Sequence, residues 1–268
     1  MSMHFELFKS RRRANLRGRP APKAWREILE RNLPVFSRLN REDQAELLGH
    51  TQVFLAEKHF EGCAGLVLTD EIRVTIAGQA CLLLLHRETD YYPELTSILV
   101  YPTGYIADEE RYLGGGIWQE GGEHRLGHTG QRLGALVLAW DAVHRGAAEP
   151  HDGVNLVLHE FAHQLDFENR SSDGTPALER HHDYRAWARV MSAEFDALRE
   201  AAESGEDTFL DDYGATNPAE FFAVITEAFF ERPRALRQNH PALFMQLQRF
   251  YQQDPTSYSA EPLVSSLH

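Results

Sequence analysis

The chain has 268 residues, of which 43% are apolar and 25% charged, an ordinary globular composition that excludes disorder as its main state. Its formal charge of −13 disfavours direct nucleic-acid binding, because an acidic surface repels phosphate backbones. The longest apolar run, Ala80 to Leu85, is too short to span a bilayer, no apolar leader precedes the N-terminal arginines, and only two cysteines (Cys63 and Cys81) occur, so a cytoplasmic protein with reduced thiols is expected.

Residues 1–24 read as a flexible basic arm. The first 26 residues carry eight Lys or Arg against one acid, Glu6, and the remainder sums to −20. Trp25, Ile28, Leu29 and Leu33 then recur at helical spacing until Pro34. A helix is predicted over 41–58 with Asn40 as its cap, and a strongly apolar one over 69–86 capped by Thr69 or Asp70. Ser97–Tyr101 (SILVY) and Leu133–Trp140 (LGALVLAW) read as strands. Between them, Leu113–Gly130 is rich in glycine and histidine and reads as a mobile loop.

The second half is helical. Helices are predicted over 154–167, starting near Asp152 or Gly153, over 182–203, over 218–231 with Asn217 as cap, and over 240–253. Pro233 should end the third of these. The fold class is α+β and mostly helical, with a small sheet. One domain over 25–256 is expected, with an N-terminal helical part to about 95 and a core from about 96, followed by a loose tail over 257–268.

The chemistry centres on His159-Glu160-Phe161-Ala162-His163, an H-E-x-x-H inside an apolar helix. Positions i and i+4 project from one helical face one turn apart, so two imidazoles there can hold one tetrahedral zinc. Glu160, about 100° round the helix, can reach a water at the metal and act as general base. A catalytic zinc needs a third protein ligand and an open fourth position. His181 and His182 lie too far along the chain for a short-spaced third histidine. Glu220 and Glu227, seven apart on one helix, are the alternatives: one as ligand, the other as a partner to a ligating histidine, and spacing does not choose between them. Asp166, three residues after His163, could orient a ligand or a neighbouring loop. His124 and His128 in the glycine loop, and the pair His181-His182, are expected to face solvent.

The runs His159–Asp166 (HEFAHQLD), Tyr213–Glu227 (YGATNPAEFFAVITE) and Phe250–Pro255 (FYQQDP) resemble those of the Mlc titration factor A family. These are bacterial zinc peptidases similar in their catalytic core to anthrax lethal factor. The likeness touches both strands and covers about residues 25–256. It implies a zincin-like metallopeptidase core with one zinc per chain on His159, His163 and Glu220, Glu160 as base, and Tyr213 facing the metal to stabilise an oxyanion. It further implies aminopeptidase-like hydrolysis of peptide substrates and, alternatively or as well, a regulatory role in which the protein sequesters a Mlc-like glucose repressor. A purely structural zinc site is disfavoured, since such sites are usually four-ligand and Cys-rich.

Overall fold

A computed structural model describes residues 2–103, 110–114, 117–120, 134–149 and 151–258. The helix starts follow the side chains that can cap them. Asn40 accepts the backbone N–H groups of Glu42 and Asp43, and Thr69 accepts that of Ile72. The helices in the first half are α1 (Ser2–Arg17), α2 (Lys23–Asn32), α3 (Pro34–Arg38), α4 (Arg41–Glu57) and α5 (Asp70–Leu82). α5 ends four residues earlier than predicted, because residues 83–86 turn out of the helix and His86 takes a φ of 62°.

The sheet is three-stranded and parallel, in the order β1 (His59–Gly62), β2 (Ser97–Tyr101), β5 (Ala135–Ala139). The short β1 was not legible in the sequence, since His-Phe-Glu-Gly has only one strongly strand-forming residue. β5 is shorter than its sequence run because Trp140 already opens α6 (Trp140–Ala148). Among the described residues β5 pairs with β2 alone, which leaves it at the sheet edge, and Val137 at its middle is 43% exposed.

The second half holds α7 (Leu156–Asp166), α8 (Asp183–Ser204), α9 (Pro218–Glu231), α10 (Pro233–Asn239) and α11 (Pro241–Tyr251). Pro233 ends α9 as predicted but also opens α10, where its missing N–H costs nothing at the first helical position. The apolar face of α7 carries Phe161, whose ring packs at 5.6 Å from Phe54 and 4.8 Å from Tyr92. Trp187 of α8, Phe222 of α9 and Phe250 of α11 form a second aromatic cluster. These two clusters anchor α7 and α9 in the core. Among the described residues no helix is long and apolar enough to cross a membrane.

Three expectations are corrected. The glycine-rich stretch is not simply a loop: β3 (Glu110–Gly114) and β4 (Ile117–Glu120) pair antiparallel, and residues 115, 116 and 121–130, with His124 and His128, lie outside the described residues. The tail is not loose from 257, since Pro255–Ser257 form one 3₁₀ turn and Tyr258 is buried, donating its hydroxyl to Gln253 at 3.0 Å; residues 259–268 lie outside the described ones.

The basic arm is the third. Ser2–Arg17 is a helix that packs on α4 closely enough for a Cβ on Gly49 to meet Arg17 Cβ at 3.3 Å. Arg13 donates Nε to Glu57 Oε1 at 2.9 Å and Nη2 to Glu57 Oε2 at 2.7 Å, and its guanidinium lies 4.7 Å over the Tyr91 ring. It also reaches the Asp90 carboxylate and main-chain carbonyl. Arg13, which reads as part of a solvated arm, has acids waiting for it 44 and 77 residues away, and local sequence cannot show that. Arg13→Ala is expected to remove this bidentate anchor and cost about 2 kcal/mol, measured as a lower urea midpoint with an unchanged slope.

Candidate metal centre

α7 is capped by Asn155, two residues later than Gly153, because Asn155 Oδ1 accepts the Leu158 N–H at 3.1 Å. From that start, His159 and His163 fall on one face, 3% and 8% exposed, with ring centroids 4.9 Å apart. α9 begins at Pro218 under Asn217, whose Oδ1 accepts the N–H groups of Ala219 and Glu220. This puts the Glu220 carboxylate in the first turn of α9, at the positive end of the helix dipole.

The two helices bring three ligand-type atoms together. His159 Nε2 and His163 Nε2 are 3.2 Å apart; Glu220 Oε2 is 3.1 Å from the first and 3.3 Å from the second. Ligand atoms about 2.0–2.1 Å from a tetrahedral zinc are separated from one another by about 3.3–3.4 Å. The triangle therefore has the size of one face of such a coordination shell. Its chemistry agrees with its size. His159 Nδ1 lies 2.7 Å from Glu227 Oε1, an acceptor, so Nδ1 carries the proton and Nε2 presents a lone pair. Nε2 faces the Glu220 carboxylate at 3.1 Å, a contact that is attractive only with a proton or a metal ion between the two atoms. Burial works against charge on His159, but Glu227 and Glu220 outweigh it and raise its pKa well above normal, so without a metal the ring takes a second proton on Nε2. Burial likewise opposes ionisation of Glu220, and the two imidazoles overcome it, holding this carboxyl well below its usual range.

Glu220 and Glu227, which spacing could not separate, thus face different nitrogens of His159. Glu227 is 5% exposed and takes the Asn155 N–H on its other oxygen. Glu160 is half-buried on the same helix; burial raises its pKa, and both histidines oppose that rise. Tyr213 sits in the 3₁₀ turn Asp212–Ala215, half-buried, its ring centroid 6.1 Å from that of His159. Burial, Glu220 and Glu160 push its hydroxyl upward, so it stays protonated and able to donate.

Asp166 does not touch the triangle. It is fully buried and its Oδ2 accepts the Gly174 N–H at 2.9 Å, which holds the loop after α7. Burial pushes its pKa up to about 6. Gly174, at φ 75°, is pressed so closely on the start of α9 that an added Cβ would lie 2.2 Å from the Pro218 carbonyl oxygen. Gly174→Ala is therefore expected to push Pro218, and Glu220 with it, away from the histidines. We expect a loss of about 1–3 kcal/mol in stability and weaker zinc binding than wild type, read by thermal melts with and without zinc.

His181 and His182 are exposed, as expected for a solvent-facing pair. A second metal-capable group among the described residues, Asp43, Glu46 and His86, is already internally paired, with His86 Nε2 2.7 Å from Asp43 Oδ1 and Nδ1 3.1 Å from the Gln252 carbonyl oxygen. Sequence reasoning missed Asn155 and Gly174. An Asn directly before the apolar run was a better cap signal than Asp152 or Gly153, whereas nothing local marks Gly174.

The sequence pattern of a family described as glucose-regulated metallo-peptidase M90 matches residues 7–252. An uncharacterized protein of Synechocystis is 40% identical over 237 residues, covering 88% of this chain and 86% of that one. Proteins named Mlc titration factor A from Yersinia pestis and Yersinia pseudotuberculosis are each 31% identical over 242 residues, covering 86% of this chain and 84% of theirs.

Proposed function

Because the chain belongs to the glucose-regulated metallo-peptidase M90 family, we propose that it is a zinc-dependent, aminopeptidase-like peptidase whose metal is held by His159, His163 and Glu220. The observation that carries this reading is the triangle of Nε2, Nε2 and Oε2 atoms, 3.1–3.3 Å on a side, with Glu160 on the same helix. When bound, the zinc supplies Lewis acidity toward a water and a peptide carbonyl oxygen.

The chain's own groups do the rest. Glu227 holds His159 in the tautomer that presents Nε2. Glu160 takes the proton of the attacking water, and its burial raises its basicity toward the working range. It then returns that proton to the leaving amine. Tyr213 keeps its O–H and donates it to the oxygen that gains charge. The strand β5, which pairs on one side only among the described residues, offers an edge along which an extended peptide can lie.

A second role rests on the name of the Yersinia relatives, Mlc titration factor A. We propose that this chain also binds a Mlc-like repressor in the cytoplasm and that such binding does not require hydrolysis. The test is elemental analysis of the purified chain together with hydrolysis of an aminoacyl-nitroanilide. One zinc per chain with chelator-sensitive turnover supports the peptidase. Zinc without turnover moves weight to repressor binding or a narrower peptide substrate. No zinc after reconstitution sinks the reading.

A further inference from the structure

Glu231 closes α9, is 4% exposed, and has no part in the chemistry above. It lies one turn beyond Glu227 on the same face. Its Oε1 accepts from Asn155 Nδ2 at 3.0 Å, and its Oε2 accepts from the Gly153 N–H at 3.2 Å. Asn155 is also the residue whose N–H reaches Glu227 and whose Oδ1 caps α7. Glu227 in turn holds His159 Nδ1 at 2.7 Å. We propose that Glu231 is a positioning residue for the metal centre: by gripping Asn155 and Gly153 it fixes the start of the histidine-bearing helix and the carboxylate that orients His159. The proposal rests on the zinc reading given above.

A buried anion in this place would be costly, and its surroundings do not offset the cost. Burial, Asp152 and Glu227 push the Glu231 carboxyl up to about 9, with only Asn155 opposing. The other charged groups nearby are turned elsewhere. His151 Nδ1 lies 3.4 Å from the Glu231 main-chain oxygen, and Arg38 lies 3.5 Å from the far nitrogen of that ring. The Arg232 guanidinium lies 4.3 Å over the Phe209 ring, and His144 and Arg145 of α6 are exposed. At neutral pH Glu231 is thus the carboxylic acid: Oε1 accepts from Asn155, and the hydroxyl oxygen accepts the Gly153 N–H while its O–H serves Asp152. Ionisation would set it against both Asp152 and Glu227 and loosen residues 151–155. Glutamine keeps the neutral charge and the carbonyl toward Asn155, but its N–H₂ then meets the Gly153 N–H, so it retains one of the two grips.

The test is zinc affinity of the full chain by competition with a chromophoric chelator, at pH 7 and pH 10, for wild type, E231Q, E231A and H159A. Outer partners of a metal ligand change affinity by about 10–100-fold, so E231A should bind about 10-fold more weakly at pH 7 and E231Q, which keeps only the Asn155 contact, should fall between E231A and wild type. From pH 7 to pH 10 wild type should lose about 10-fold more affinity than E231Q does. Thermal melts report the protonation state separately. The folded pKa lies above the unfolded one, so wild type loses stability relative to E231Q as pH rises from about 5 to 9; a constant difference overturns the neutral acid. If wild type binds zinc, H159A does not, and the Glu231 variants match wild type at both pH values, the inference fails and the zinc site stands. Wild type binding no zinc overturns both. Should E231A fail to fold, the comparison of wild type with E231Q at pH 10 decides alone, and a parallel fall overturns the inference.

Discussion

Glu160→Gln is expected to lower kcat for an aminoacyl-nitroanilide by about 10³-fold, leave KM within about threefold, and leave the zinc content at one per chain. Glutamine has the shape of glutamate and can still hydrogen-bond a water, but it cannot take that water's proton. Glu160 is not one of the three atoms that make the ligand triangle, so its charge is dispensable for binding metal. Stability should change little, and in the favourable direction if at all, because burial already disfavours the carboxylate. Repressor binding should survive the substitution if it is independent of hydrolysis. Steady-state kinetics beside elemental analysis checks all of this. Turnover close to wild type with zinc bound would remove Glu160 from the reaction, and loss of zinc together with turnover would mean that it holds the metal.

Glu220→Ala should have the largest effect on the metal itself. Its carboxylate oxygen is the one anion facing both Nε2 atoms among the described residues, at 3.1 and 3.3 Å. Removing it leaves two neutral imidazoles, and zinc affinity should fall by more than about 100-fold, since loss of even an outer partner costs about 10–100-fold. A thermal shift reads the same quantity. With free zinc at 100 times the wild-type Kd, wild type gains about 2.7 kcal/mol of stability, whereas Glu220→Ala at that zinc concentration gains less than about 0.5 kcal/mol. Glu227→Ala should fall between the two, because it frees the Nδ1 side of His159 but leaves all three ligand atoms in place. If Glu227→Ala loses zinc completely and Glu220→Ala keeps it, the roles of the two glutamates are reversed.

Much of this protein was written in short stretches of its sequence. The H-E-x-x-H spacing on an apolar run specified two imidazoles on one helical face before any fold was known, because helical periodicity is local. Asn40, Thr69 and Asn217 marked helix starts for the same reason: a cap bonds N–H groups two or three residues away. The mostly helical α+β class and the strands at SILVY and LVLA followed from periodicity and β-branched content. What local pattern could not decide were the pairings across long separations. Glu220 and Glu227 share a helix face, and only the packing of α9 on α7 turns one toward Nε2 and the other toward Nδ1 of the same ring. Arg13 of α1 reads as part of a solvated arm until Glu57 and Asp90 are brought beside it. β1 is a strand only because β2 lies next to it, and Glu231 matters only because Asn155 is folded against it from 76 residues away. Periodicity and capping act within a turn or two of chain, whereas hydrogen-bond partners across 40–80 residues exist only once the core has closed and excluded water from between them.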